Sequence, residues 1–87
     1  MSHQSILLDA LSRLREQKGL DPLSAIDPAA DLRTDLGLDS LDLAELTVVL
    51  ESETGVDVFR AGVVRTVGEI LNRLEEGLRE ESVGRRG

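Results

Sequence analysis

Apolar residues at Leu7, Ala10, Leu11 and Leu14 fall at i, i+3, i+4 and i+7, which lines one face of an amphipathic helix over residues 5–18. Ser2 or Ser5 can cap its start, and Gly19 is placed to stop it. A second helix is predicted over residues 40–54, with Gly55 as its stop. Advancing by about 100° per residue puts Leu43, Leu46, Thr47 and Leu50 on one side of it. Leu41, Ala44 and Val48 fall on the opposite side, flanked by Glu45 and Glu51. The first stripe reads as core. The second cannot face that same core, so another element covers it or it is exposed. An exposed apolar stripe bordered by acids has the pattern of a partner-docking helix.

Thr66-Val67-Gly68-Glu69 has the form of a capping box, with Thr66 at the N-cap and Glu69 three residues on. Val67, Ile70, Leu71, Leu74 and Leu78 follow with helical spacing and predict a third long helix, whose end Gly77 weakens. Residues 20–38 form a long connection with Pro22, Pro28 and Gly37, and its leucines and Ile26 are spaced like anchors over a core. So long a connection is expected to pack, with a turn near residues 29–32. Val56-Asp57-Val58-Phe59 alternates like a strand but has no second strand to pair with, and one short helical turn is expected over residues 60–64. The sum is all-α: a small four-helix bundle, three long helices plus one short. The folded domain is assigned to residues 1–79, and residues 80–87 to a polar, disordered tail.

At 87 residues the chain is one domain near the low end of what buries its own core. It has no Cys, which excludes disulfides and thiolate metal sites and means that any thiol must arrive on a prosthetic group. No apolar run is long enough for a membrane span, and the N-terminus lacks a signal-peptide layout, so a cytoplasmic monomer is expected. The net charge of −7 is local. Asp35, Asp39, Asp42, Glu45, Glu51, Glu53 and Asp57 lie between Arg33 and Arg60 with no Lys or Arg among them; of 17 acidic residues this leaves ten against ten basic ones elsewhere. Such a patch disfavours nucleic acid and favours basic protein surfaces.

The acidic window opens on Asp35-Leu36-Gly37-Leu38-Asp39-Ser40-Leu41-Asp42, followed by Leu43, Ala44, Glu45 and Leu46. It reads as a loop turning at Gly37 into a helix that starts at Asp39 or Ser40. A serine there is either a capping residue or an attachment point for a covalent group. Serine-nucleophile catalysis does not fit: the glycine spacing is wrong for a strand–turn–helix elbow and no strand precedes it. The only histidine is His3, near the N-terminus, and acidic neighbours oppose formation of an alkoxide. Asp35, Asp39 and Asp42 suit at most a dissociable hard cation, and no metal site is assigned. An attachment serine, by contrast, needs only exposure at a helix start, because a separate transferase supplies the catalysis.

This ordered run resembles the phosphopantetheine attachment site of acyl carrier proteins, and the similarity extends over about residues 5–78. The resemblance implies a non-enzymatic carrier. Ser40 would receive 4′-phosphopantetheine from coenzyme A through a phosphopantetheinyl transferase, with Gly37, Asp39 and Leu41 forming its surroundings. An acyl group would then ride as a thioester on the arm's thiol. By the same resemblance Leu41, Asp42, Ala44, Glu45, Val48 and Glu51 would meet basic surfaces of an acyltransferase, a ketosynthase or an adenylating ligase, and the helices could shelter the acyl chain. Ala44 is smaller than the branched residue common in the family. Arg60 and Arg65 stand where the fatty-acid type is usually acidic, and Phe59 where Pro is frequent. These departures favour a free-standing carrier of a polyketide or other specialised pathway over a fatty-acid biosynthesis carrier. An aminoacyl or peptidyl carrier is the alternative, and an unmodified acidic helical adaptor is the reading from a different class.

Overall fold

The structure is a computed structural model that describes residues 3–60 and 62–84. Three helices form it: α1 (His3–Gln17), α2 (Ser40–Thr54) and α3 (Val67–Gly84). α1 buries Leu7, Ala10, Leu11 and Leu14, the stripe its periodicity marked. Ser5 lies inside the helix and is not its cap, while Ser2 lies outside the described residues. α1 closes on Gly19 at φ +82, with the Gly19 N–H donating to Glu16 O and the Leu20 N–H to Arg15 O. That pair of bonds is a Schellman motif, which satisfies carbonyls the helix end would otherwise leave bare.

α1 and α2 pack antiparallel, with Lys18 beside Asp42 where α1 ends and α2 begins. α2 turns Leu43, Leu46 and Leu50 into the core and stops at Gly55, whose left-handed backbone donates its N–H to Glu51 O at 2.7 Å. α3 adds Val67, Ile70, Leu71 and Leu74. The long connection packs as expected, burying Ala30, Leu32, Leu36 and Leu38. Turns lie at either end of the expected span, at residues 28–29, where the Ala30 N–H donates to Asp27 O, and at residues 32–36, where Asp31 Oδ1 accepts the N–H groups of Arg33 and Thr34 while Asp35 Oδ2 accepts that of Asp31. The connection is sewn to α3: Leu32 N–H donates to Arg65 O, and the first α3 N–H groups, of Val67 and Gly68, donate to Ala30 O and Pro28 O.

The described residues hold three helices. The short fourth helix expected over residues 60–64 is not found among them: residues 58–60 form a turn, Gly62 N–H donates to Phe59 O, and residue 61 lies outside the described residues. Gly62 at φ +130 cannot continue a right-handed helix. Arg73 Nη1 also takes the carbonyls of Val58 and Gly62, at 3.0 and 2.8 Å. α3 runs to Gly84, past the boundary drawn after residue 79. Arg, Glu and Leu propagate a helix well once its packed first turns have nucleated it. Residues 85–87 of the expected tail, and the Leu78 side chain expected on the core stripe, lie outside the described residues. The alternating Val56-Asp57-Val58-Phe59 is not a strand; Val56 and Val58 are both buried, and the sole pairing of strand type among the described residues is an isolated bridge, Asp31 to Thr66.

Candidate functional site

The chain reaches Ser40 through a tightly held approach. Leu36 and Leu38 are buried on either side of Gly37, which has φ +77, a left-handed conformation that costs glycine nothing. Leu38 N–H donates to Leu32 O at 3.0 Å, and from α1 the Arg15 guanidinium donates to Leu36 O at 2.6 Å and to Asp21 O at 2.7 Å. The loop thus enters α2 pinned from both sides.

Asp39, and not Ser40, caps the helix. Its backbone is extended (φ −101, ψ −175), its Oδ1 accepts the Asp42 N–H at 2.9 Å, and Asp42 Oδ2 accepts the Asp39 N–H at 2.9 Å. This reciprocal box satisfies the donors a capping serine would have served. Ser40 is therefore the first helical residue, exposed, with its hydroxyl outside the cap.

Lys18 completes the helix start, its Nζ 2.8 Å from Asp42 Oδ2 and 3.5 Å from Asp39 Oδ2. The Asp39 carboxyl is held below its ordinary value of 3.8, first by the Asp42 N–H, which outweighs the opposing desolvation, and then by the Lys18 charge. The Lys18 ammonium is held above its ordinary 10.5, chiefly by its bond to Asp42.

The outer face of α2 is open. Leu41 is 75% exposed and Val48 63%, and Ala44, Glu45 and Glu51 are exposed with them. Asp42 stands apart from these: its side chain is only 15% exposed and is engaged by Lys18 and the Asp39 N–H. Asp35 is not gathered with Asp39 and Asp42, since its carboxylate closes the preceding turn. Among the described residues no group of three or more His, Cys, Asp or Glu could hold a metal ion. His3 sits at the far end of α1, paired with Glu75 at 3.2 Å. The helix between His3 and Lys18 spans about 20 Å, so the one histidine cannot serve Ser40 as a base.

Sequence reasoning missed Arg15 and Lys18, which precede Ser40 by more than 20 residues and carry no local signal. It also missed Val63, 76% exposed on the α2–α3 connection. An open groove of about 570 Å³ between α1 and α2 is lined by Ile6, Ala10 and Val49, with Asp9, Arg13 and Glu53 among its polar residues. Val49 lies about 14 Å along α2 from Ser40.

The protein-family model for the phosphopantetheine attachment site matches residues 9–74. The chain belongs to that family. It is a non-catalytic carrier, bears 4′-phosphopantetheine covalently, and works with a phosphopantetheinyl transferase and biosynthetic enzymes. A search of the curated proteins finds no match. No helix among the described residues is long and apolar enough to cross a membrane. The helix start described above fits such a group: it offers an exposed hydroxyl, backbone N–H groups that favour a phosphodiester, and a lysine that offsets the two nearest carboxylates.

Proposed function

We propose that Ser40 is the residue that takes 4′-phosphopantetheine, and that the outer face of α2 docks the enzymes the carrier serves. The observation that carries the first part is the cap: because Asp39 holds the helix start, the Ser40 hydroxyl is left for a transferase. The arm's thiol would hold the cargo as a thioester. The chain's own residues bind and orient. Gly37 makes the turn that presents Ser40, Asp39 and Asp42 stiffen the first turn, and Leu41 offers an apolar contact next to the serine. Leu41, Ala44 and Val48 would lie against an apolar strip of the partner, with Glu45 and Glu51 meeting basic residues around it. Asp42 borders this face and contributes mainly by ordering it.

Cargo of a polyketide or other specialised pathway, handled in the cytoplasm, is favoured by the small Ala44 in the docking stripe and by the exposed Arg60 and Arg65 on the α2–α3 connection. An acyltransferase or ketosynthase would then be the partner, and an adenylating ligase if the cargo is aminoacyl.

The test is intact mass before and after incubation with coenzyme A and a broad-specificity phosphopantetheinyl transferase, with Ser40→Ala alongside. One added phosphopantetheine on the wild type and none on the variant is expected. An unmodified protein with full helical circular dichroism, after several transferases, would point instead to an adaptor that binds through α2 alone. Loading with acyl and aminoacyl donors then separates the cargo classes.

A further inference from the structure

Lys18 is the chain's single lysine, so its Nζ is the only side-chain amine in 87 residues. The other nine basic residues are arginines, whose guanidinium stays protonated. That one amine does not point away from the attachment site. Its Nζ contacts the carboxylates of Asp39 and Asp42, which flank Ser40 at the start of α2. Asp39 adjoins Ser40 in the chain and Asp42 follows it by two residues, so Lys18 stands at the root of an arm on Ser40, and a thioester on a flexible arm can fold back onto it. Thioesters acylate neutral amines and spare ammonium ions. The two carboxylates hold Nζ as an ammonium, and each bond they accept occupies one of its protons. On its own side Lys18 has Arg15, whose guanidinium is committed to the carbonyls of Leu36 and Asp21.

We infer that the Lys18–Asp39–Asp42 cluster is a guard that keeps the chain's only side-chain amine from capturing the cargo of its own arm. The step it suppresses is S-to-N acyl transfer. Neutral Nζ attacks the thioester carbonyl carbon, the C–N bond forms as the C–S bond breaks, and the proton lost from nitrogen goes to the departing thiolate. The products are a free arm thiol and an amide on Lys18, a dead end for a carrier. The raised proton affinity of Lys18 acts in the same direction as the geometry. This guard rests on Ser40 as the attachment site.

The experiment loads the full chain from acetyl-coenzyme A with a broad-specificity transferase and confirms loading by intact mass. The loaded protein is incubated at alkaline pH, its thioester is stripped with hydroxylamine, and acetyl-Lys18 is measured by peptide mass mapping. Asp42→Asn and Asp39→Asn should each raise the rate of Lys18 acetylation at least threefold over wild type, and Lys18→Arg should abolish it. Asn still caps a helix, so Asp39→Asn keeps α2 intact. Molar salt, which screens the ion pairs, should raise the rate in the unaltered protein. The rate per molecule should not change with protein concentration, because the transfer is internal. Equal rates in wild type and both Asn variants, or no acetyl-Lys18 in any of them, would overturn the guard while leaving Ser40 in place. Failure of the wild type to load with any of several transferases is read in the first mass spectrum and overturns the assignment of Ser40, and the guard with it.

Discussion

Gly77 lies inside α3, where glycine is normally a defect worth about 1 kcal/mol relative to alanine. On helix propensity alone, Gly77→Ala should stabilise the protein. The tertiary structure reverses the sign. A Cβ at position 77 would stand 2.5 Å from Val56 Cγ1, 2.9 Å from Cγ2 and 3.2 Å from Cβ. Relaxed carbon–carbon contacts lie at roughly 3.5–4.0 Å. Val56 cannot give way easily. It is buried, its backbone N–H is held by Thr54 Oγ1 at 3.1 Å, and rotating a β-branched side chain merely exchanges one group at the contact for another. Overpacking of this kind costs about 1–3 kcal/mol, which outweighs the propensity gain and leaves a net loss of up to about 2 kcal/mol.

Val56→Ala removes both methyls, so in that background Gly77→Ala should recover its gain of about 1 kcal/mol. The two substitutions should therefore couple by roughly 1–3 kcal/mol. Urea unfolding followed by far-ultraviolet circular dichroism measures all four corners of the cycle; with neither Trp nor Tyr in the chain, fluorescence offers little. Midpoints convert to free energies provided the slope is unchanged. Stabilisation by Gly77→Ala in the wild type, or additivity within about 0.5 kcal/mol, would show that Val56 does not rest on Gly77.

The two faces of α2 give an opposed pair: Leu46→Ala, at a fully buried position, should cost about 2–5 kcal/mol, whereas Val48→Ala should change stability by no more than about 0.5 kcal/mol in the same urea assay. Glu45→Lys should weaken binding to a phosphopantetheinyl transferase at low salt without changing the unfolding midpoint, and unchanged affinity would count against the α2 face. Asp31, Asp39 and Glu69 all have carboxyls held below their ordinary values, first by backbone N–H groups of Thr34, Asp42 and Arg65 respectively. Their protonation is easier in the unfolded chain, so their contribution is complete above those ordinary values of 3.8 to 4.5 and is lost as pH falls through the depressed ones. Urea midpoints should therefore drop below about pH 4, less steeply in Asp31→Asn; an identical slope would place that carboxylate outside the turn.

The helical stripes were legible because periodicity is a local property. Leu7, Ala10, Leu11 and Leu14, or Leu43, Leu46 and Leu50, share a face wherever their helix is placed, and the same rotation sends Leu41, Ala44 and Val48 outward. The attachment motif was legible for a related reason, since glycine, acid and serine sit within a few consecutive residues. What needed the tertiary structure was every feature whose partner is distant or in competition. Whether Asp39 or Ser40 caps α2 was decided by Asp42, which answers Asp39 with a reciprocal bond. The expected short fourth helix is not found among the described residues: Gly62 takes φ +130, and Arg73, eleven residues beyond it, binds the carbonyls of Val58 and Gly62. Gly77 reads as a weak point in its own helix and becomes the seat of Val56 once the α2–α3 connection crosses it. Arg15 and Lys18 look like ordinary polar residues until the antiparallel packing of α1 and α2 sets them beside Leu36 and Asp42. Chain sequence encodes which face a residue takes, through bond angles repeated at each step; which neighbour meets that face depends on how whole elements pack, and no local spacing carries that information.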